Sequence, residues 1–129
     1  MIALARSYPE GPVPLAEIAR TEGLSMSYLE QLMACLRKGG LVASTRGVHG
    51  GYRLTDAPEA MTVGQVVRSL EGPIAFAECA SEGADSGYCE RERDCASRHF
   101  WQQVRDNIAQ VMDGTTLADL AGGTAVAER

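Results

Sequence analysis

Two short helical patterns separated by a glycine, followed at once by a glycine-rich hairpin pattern, constrain the fold of this chain most strongly. The first helical pattern opens after Pro14, where Leu15 and Ile18 recur at helical spacing, and Gly23 is a natural C-terminal stop. We therefore predict a helix that opens at Pro12-Val13-Pro14 and stops at Gly23.

A second helix is predicted to begin near Ser25. Ser27 followed three residues later by Glu30 fits a capping box, with Ser25 as a competing cap. Its apolar stripe comprises Tyr28 or Leu29, Leu32, Met33 and Leu36. Gly39-Gly40 ends the pattern. A helix, a glycine-containing turn and a second capped helix favour a helix-turn-helix motif, with a plain helical hairpin as the alternative.

The segment after the second helix predicts a β-hairpin. Residues 41–45 and 52–55 have strand patterns, and the glycine-rich residues 46–51 join them. A hairpin directly after a helix-turn-helix motif is typical of the wing of a winged helix. Arg46 and His49 lie at its tip, where cations reach phosphates or a narrow minor groove.

Charge is distributed unevenly along a chain of 129 residues with formal net charge −5. Residues 25–55 carry Arg37, Lys38, Arg46 and Arg53 against one acid, Glu30, whereas residues 56–129 carry six arginines against thirteen acids. A local basic patch is sufficient for phosphate binding. The alternative is an ordinary solvated surface.

Further helices are predicted beyond the hairpin. Thr62 is a plausible cap for a helix that Gly72-Pro73 ends, and residues 74–94 read as a loop. A long helix over about residues 96–112 carries an apolar face made of Phe100, Trp101, Val104, Ile108, Val111 and Met112. A short turn through Leu117 and Leu120, capped by Thr115 or Thr116, precedes a frayed tail over residues 121–129.

These residues resemble a known family. The strings SMSYLEQL, LRKGGLV and RGVHGGY, continued by TVGQVVRSLEGP and the cysteine loop, are similar to the Rrf-two family of regulators, which includes IscR, NsrR, RirA and CymR. The resemblance covers nearly the whole chain. It departs at Val48-His49, where relatives often have Pro-Gly, and at the first helix, which begins halfway along the family's helix.

The resemblance implies a mainly α fold with a small β-hairpin. Its parts would be a winged helix-turn-helix DNA-binding domain over residues 1–72 with a shortened first helix, a cysteine-rich cluster-binding loop over 73–95, and a dimerisation helix with a C-terminal tail over 96–129. The homodimer would bind pseudo-palindromic double-stranded operator DNA. The recognition helix would present Ser25, Ser27, Tyr28, Glu30 and Gln31 to the major groove, with Arg46 in the minor groove.

Three of the four cysteines cluster in the pattern Cys79-x9-Cys89-x5-Cys95-x3-His99, while Cys35 is expected to be a small core residue. Thiolates are preferred ligands of iron–sulfur clusters and of zinc. The unequal spacing lacks the short CxxC pair typical of structural zinc. We therefore favour an iron–sulfur cluster, with zinc as the alternative.

The resemblance implies that Cys79, Cys89 and Cys95 hold the cluster. In IscR-like members a histidine completes a [2Fe–2S] site, and here Arg98 occupies that place, with His99 one residue later. In NsrR-like members the fourth ligand is an acid of the other subunit. Local acids that could substitute are Glu78, Glu90, Glu92 and Asp94. We take His99 as the candidate and favour [2Fe–2S] over [4Fe–4S].

The function predicted is DNA-binding transcriptional regulation controlled by the cluster, in response to iron or cluster supply, redox stress or nitric oxide. The alternative is a cluster-free regulator of the same fold, controlled by thiol oxidation, zinc or a partner enzyme. No catalytic grouping favours an enzyme. We expect a cytoplasmic location and no membrane, since the N-terminus lacks signal-peptide features and no apolar stretch could span a bilayer.

Overall fold

The computed structural model describes residues 1–83, residue 91 and residues 94–123. Within these residues the helices and strands, in chain order, are α1 (Ile2–Ser7), α2 (Leu15–Glu22), α3 (Met26–Lys38), β1 (Val42–Thr45), β2 (Gly51–Leu54), α4 (Val63–Glu71), α5 (Ala96–Asp113) and α6 (Leu117–Ala121). Two 3-10 turns, Pro58–Ala60 and Glu78–Ala80, lie between them. The mainly helical fold with one small hairpin confirms the predicted fold class.

The helix-turn-helix forms because two glycines end its helices where the sequence indicates. Gly23 follows α2 with a left-handed backbone at φ +66°, and its N–H bonds to the carbonyl of Ala19. After α3, the N–H of Gly39 bonds to the carbonyl of Cys35, and Gly40 turns the chain into β1 at φ +76°.

The N-terminal cap of α3 differs from the predicted capping box. Ser25, not Ser27, is the N-cap of α3, and its hydroxyl accepts a hydrogen bond from the N–H of Tyr28 at 3.2 Å. The helix begins at Met26, so Ser27 is already helical and cannot form a box with Glu30.

The prediction for Cys35 was also wrong, because this side chain is exposed. The buried face of α3 is formed by Leu29, Met33 and Leu36. At about 100° per residue, Cys35 projects roughly 200° from Met33 and therefore lies on the opposite side of the helix.

The wing is a two-stranded antiparallel hairpin in which Val42 pairs with Leu54 and Thr45 with Gly51. A second attachment ties it to the chain before α2, because Val13 and Tyr52 exchange backbone hydrogen bonds, each 2.9 Å long. A Cβ at Gly51 would overlap the backbone of Val13, so this close approach requires glycine. The wing is thereby fixed against the helix-turn-helix motif.

One hydrophobic core joins the winged-helix elements to the end of the chain. Its buried side chains are Leu4, Ala5, Ile18, Leu29, Met33, Leu36, Leu41, Val42, Leu54, Met61 and Leu117. Leu117 belongs to α6, whose N-cap is Thr116. The N–H of Leu117 donates to the carbonyl of Met61, so the chain returns to this core after α5.

The long helix α5 is the exception to this packing, since none of its 18 residues is buried. Phe100 is 56% exposed, Ile108 37% and Val111 55%. Within the described residues, none of the helices combines the length and apolar content required to cross a bilayer.

Candidate nucleic-acid interface and cysteine segment

The side chains predicted to contact bases lie on the solvent side of α3. Tyr28 is 50% exposed, and the other four, Ser25, Ser27, Glu30 and Gln31, are also exposed. The neighbouring Leu29 is buried at 5% exposure. Core packing on one face therefore leaves a polar face free at the N-terminal half of the helix, where helix-turn-helix proteins contact base edges.

The predicted cations flank this face. Arg37 and Lys38 occupy the last turn of α3 and are exposed, and the Arg37 guanidinium lies 3.5 Å from the Ser44 hydroxyl of β1. Arg46 and His49 are exposed between the two strands of the wing. Their positions suit contacts to phosphates on either side of a groove.

The wing tip also presents an apolar side chain that the sequence reasoning treated only as a departure from the family. Val48 is 96% exposed, the most exposed of the large apolar residues among those that the structure describes. It lies beside His49, on the hairpin expected to approach the minor groove.

Two of the three clustered cysteines fall on defined elements. Cys79 lies in the 3-10 turn Glu78–Ala80, and Cys95 is the N-cap of α5. Both are free thiols and partly exposed. Cys89, Glu90 and Glu92 lie outside the described residues.

The turn that carries Cys79 is attached directly to α5. The Arg105 guanidinium donates to the carbonyl oxygens of Ala80 at 3.0 Å and Ser81 at 3.2 Å, and Ala80 is fully buried. Phe76 stacks on Trp101 with ring centroids 6.1 Å apart. The helix that begins at Cys95 therefore also positions the turn that contains Cys79.

The environment of Cys95 favours the thiolate. Its sulfur lies 3.1 Å from the Ser97 hydroxyl. This hydrogen bond, aided by the Ser97 and Arg98 backbone N–H groups and the charge of Arg91, lowers the pKa of the Cys95 thiol. A thiolate is the form that ligates metals, so the donor chemistry fits an iron–sulfur cluster or zinc.

The position of His99 is defined, but a complete ligand set is not. His99 is exposed on α5, one helical turn after Cys95. Among the residues that the structure describes, no three His, Cys, Asp or Glu side chains are grouped closely enough to hold a metal ion. Cys89, the third cysteine of the predicted set, is not among those residues.

Sequence reasoning missed an ionic cluster next to the cysteine turn. Arg68 of α4 contacts Glu82, which follows the turn, and Asp113, which ends α5. These residues are 14 and 45 positions from Arg68. Local patterns report neighbours three or four residues apart, so they gave no signal for these pairs.

Taken together, a capped recognition helix, a wing carrying cations and a second, cysteine-bearing segment define a DNA-binding transcriptional regulator of the winged helix-turn-helix class. The family described as "Rrf2: Iron-dependent Transcriptional regulator" matches residues 1–123. The chain belongs to the Rrf2 family, which confirms the resemblance noted in the sequence.

Named relatives include CymR and IscR regulators. The HTH-type transcriptional regulator CymR of Bacillus subtilis is 44% identical over 124 residues, covering 96% of this chain and 83% of the relative. The HTH-type transcriptional regulator IscR of Aliivibrio salmonicida is 40% identical over 121 residues, covering 93% and 69%.

Solved structures of a CymR and an IscR regulator are also similar to this chain. The structure of CymR, the global cysteine regulator of B. subtilis, superposes with a TM-score of 0.76 at 44% identity, covering 96% of this chain and 88% of the other. The structure of T. potens IscR gives a TM-score of 0.74 at 38% identity, covering 99% and 82%.

Proposed function

We propose that this regulator acts as a homodimer whose affinity for a pseudo-palindromic operator is controlled by an iron–sulfur cluster bound through Cys79, Cys89 and Cys95. The family description and the IscR relatives support iron-dependent control. The structure supports it through the elements that carry Cys79 and Cys95, which are in direct contact.

The observation that carries the proposal is the link between Cys79 and the helix that begins at Cys95. Arg105 of α5 holds the carbonyls of Ala80 and Ser81, immediately after Cys79. Binding one cluster through both thiolates would therefore engage the first turn of α5 as well as the segment packed on it. A change in ligation changes the restraints on the helix proposed to form the dimer.

The residues that would hold the cluster are the three thiolates and, as the fourth ligand, His99. The cluster would supply a redox- and iron-sensitive group, with [2Fe–2S] favoured over [4Fe–4S] and zinc as a weaker alternative. This chain's own contribution is the Ser97 hydroxyl, which stabilises the Cys95 thiolate.

The homodimer is supported by the packing of α5. Phe100, Ile108 and Val111 lie exposed on a long helix without buried residues, an arrangement that a second copy of the helix would cover. A two-fold dimer presents two copies of α3 to two half-sites, which matches a pseudo-palindromic operator.

The cluster is tested by anaerobic purification followed by an absorption spectrum and by iron and sulfide analysis. We expect a coloured protein with iron and sulfide near two per chain for [2Fe–2S]. Cys79→Ser is expected to lose the cluster, whereas Cys35→Ser, a change of an exposed cysteine on α3, is the matched control and keeps it. A protein that stays colourless after reconstitution contradicts the proposal.

His99→Ala tests the fourth ligand separately. We expect a shifted visible spectrum and a lower cluster content in this variant, because one ligand is replaced. An unchanged spectrum would exclude His99 as the fourth ligand and favour one of the acids near the cysteines in that role.

A second candidate function is a cluster-free regulator controlled by thiol oxidation, zinc or a partner enzyme. The similarity to CymR, the global cysteine regulator, favours this alternative. A colourless protein whose DNA affinity responds to oxidant, to zinc or to an added partner would support it over the cluster.

A further inference from the structure

Arg68 joins three parts of the molecule through one guanidinium. Its Nε and Nη2 donate to the Glu82 carboxylate at 3.0 and 2.8 Å, while Nη1 and Nη2 donate to Asp113 at 2.6 and 3.0 Å. Both carboxylates are thus held by paired hydrogen bonds, a geometry that the planar fork of arginine provides and lysine does not.

Glu82 closes the segment that contains Cys79. The Ile74 N–H donates to the Glu82 carboxylate at 2.7 Å, and the Glu82 N–H donates back to the Ile74 carbonyl at 3.2 Å. Residues 74–82 therefore form a loop tied at its base, and Ile74 is buried. Arg68 holds that base against α4.

The close approach of Asp113 depends on a glycine in α4. Gly64 is buried one turn before Arg68, and a Cβ at this position would overlap the Asp113 carboxylate. A side chain at this position would displace the Asp113 carboxylate from its place beside Arg68.

The residue next to Arg68 contacts the recognition helix. Ser69 lies against Gly39 at the end of α3, where a Cβ on the glycine would be 2.5 Å from the Ser69 hydroxyl oxygen. Adjacent residues of α4 therefore contact the cysteine segment on one side and the end of α3 on the other.

We propose that Arg68 is a positioning residue that couples the Cys79 segment to the recognition helix through α4. This proposal rests on the proposed function and adds the path by which the cluster affects DNA binding. Ligation at Cys79 shifts the base of the loop at Glu82, and Arg68 transfers that shift to α4. Ser69 of α4 then displaces the end of α3. A contiguous network of charged and packed groups is the physical basis for such coupling.

Global stability is a poor explanation for this cluster. The side chains of Arg68, Glu82 and Asp113 are 32%, 29% and 47% exposed, and partly exposed ion pairs contribute little to folding. Variants of Arg68 are therefore expected to remain folded, so that a change in coupling can be measured.

The first test uses the protein stripped of metal. We would measure the alkylation rate of Cys79 by iodoacetamide with peptide mass spectrometry in Arg68→Gln, in Arg68→Lys and in the control Arg6→Gln, which changes an exposed arginine of α1. We expect a rate about fivefold higher in both Arg68 variants, because the loop base is released. A wild-type rate in Arg68→Gln, or full rescue by lysine, overturns the proposal.

The second test compares DNA affinity with and without the cluster. The probe is a DNA duplex selected from a random-sequence library. In Arg68→Gln, the dissociation constants of the loaded and stripped forms are expected to lie within about twofold of each other, while the cluster content stays unchanged. The coupling is overturned if Arg68→Gln raises the alkylation rate of Cys79 but keeps the wild-type ratio of dissociation constants.

The outcomes separate this inference from the proposed function. If the loaded and stripped forms of the wild type bind DNA with equal dissociation constants, both the proposed function and the coupling are contradicted. The alkylation rate of Cys79, by contrast, depends on neither cluster nor DNA. If Arg68→Gln does not fold, Glu82→Gln and Asp113→Asn remove one partner each, and both must raise Cys79 alkylation for the proposal to stand.

Discussion

At the residue scale, a difference of two positions decides whether a serine caps α3 or lies within it. Ser25 lies just before α3 and accepts a hydrogen bond from Tyr28, while Ser27, two residues on, lies within the helix. Both serines fitted the sequence pattern, because boundaries cannot be fixed from residue types alone.

We predict that Ser25→Ala lowers the free energy of unfolding by about 1 kcal/mol, because the cap on the recognition helix is lost. Ser27→Ala is the matched control and should change it by less than about 0.5 kcal/mol. Urea denaturation measures both. A larger loss in Ser27→Ala would contradict the observed cap.

A second residue-scale prediction concerns pH. The hydrogen bonds from Arg68 lower the pKa of Asp113 below its ordinary value, so the carboxylate stabilises the folded state at neutral pH. This contribution is complete above the ordinary pKa and is lost as pH falls through the lowered one.

The melting temperature should therefore be higher in the wild type than in Asp113→Asn at pH 7, with a difference that narrows below about pH 4. Glu82, whose pKa is lowered by the hydrogen bonds from Arg68 and from the Ile74 N–H, adds to the wild type's acid sensitivity. A gap that stays constant from pH 7 to pH 3 would argue against the ionic cluster.

At the element scale, the sequence predicted most helices, and the reason is local. Glycine stops, the Thr62 cap and apolar periodicity are properties of neighbouring residues, and α2, α3, α4, the wing and α5 appear where they indicate. The Arg68 cluster and the return of Leu117 to the core depend on pairs distant in sequence. No local pattern encodes such pairs, so the structure was needed to find them.

Gly64→Ala tests the packing of α4 against the end of α5. A Cβ there would overlap the Asp113 carboxylate. The carboxylate should move aside and lose its hydrogen bonds to Arg68, which offsets the gain of about 1 kcal/mol that alanine otherwise brings to a helix. Gly11→Ala is the control, since a Cβ at Gly11 has no neighbour within 4 Å. A stability gain of about 1 kcal/mol in Gly64→Ala would contradict the observed packing.

At the scale of the whole molecule, one compact core serves the DNA-binding elements, while α5 leaves apolar side chains exposed. Val111 at 55% and Ile108 at 37% exposure lie three residues apart, on neighbouring positions of one helix face. In the homodimer that we propose, a second copy of the chain would cover this face.

The double variant Ile108→Asp/Val111→Asp is expected to be monomeric in analytical ultracentrifugation, because dimerisation would bury two charges. Val48→Asp introduces a charge at the exposed wing tip and should remain dimeric. A dimeric double variant would show that this face of α5 is not the interface.

If the cysteine segment controls DNA binding as we propose, loss of the cluster changes the affinity for DNA, and a titration measures that change. Fluorescence anisotropy on a library-selected duplex would compare cluster-loaded and chelator-stripped wild type with Cys79→Ser. We predict about a tenfold difference in Kd between the two wild-type forms. Samples of Cys79→Ser taken through the same loading and stripping treatments should not differ in Kd. Equal affinities of the loaded and stripped wild type, measured while the loaded form keeps its cluster, would contradict this control of DNA binding.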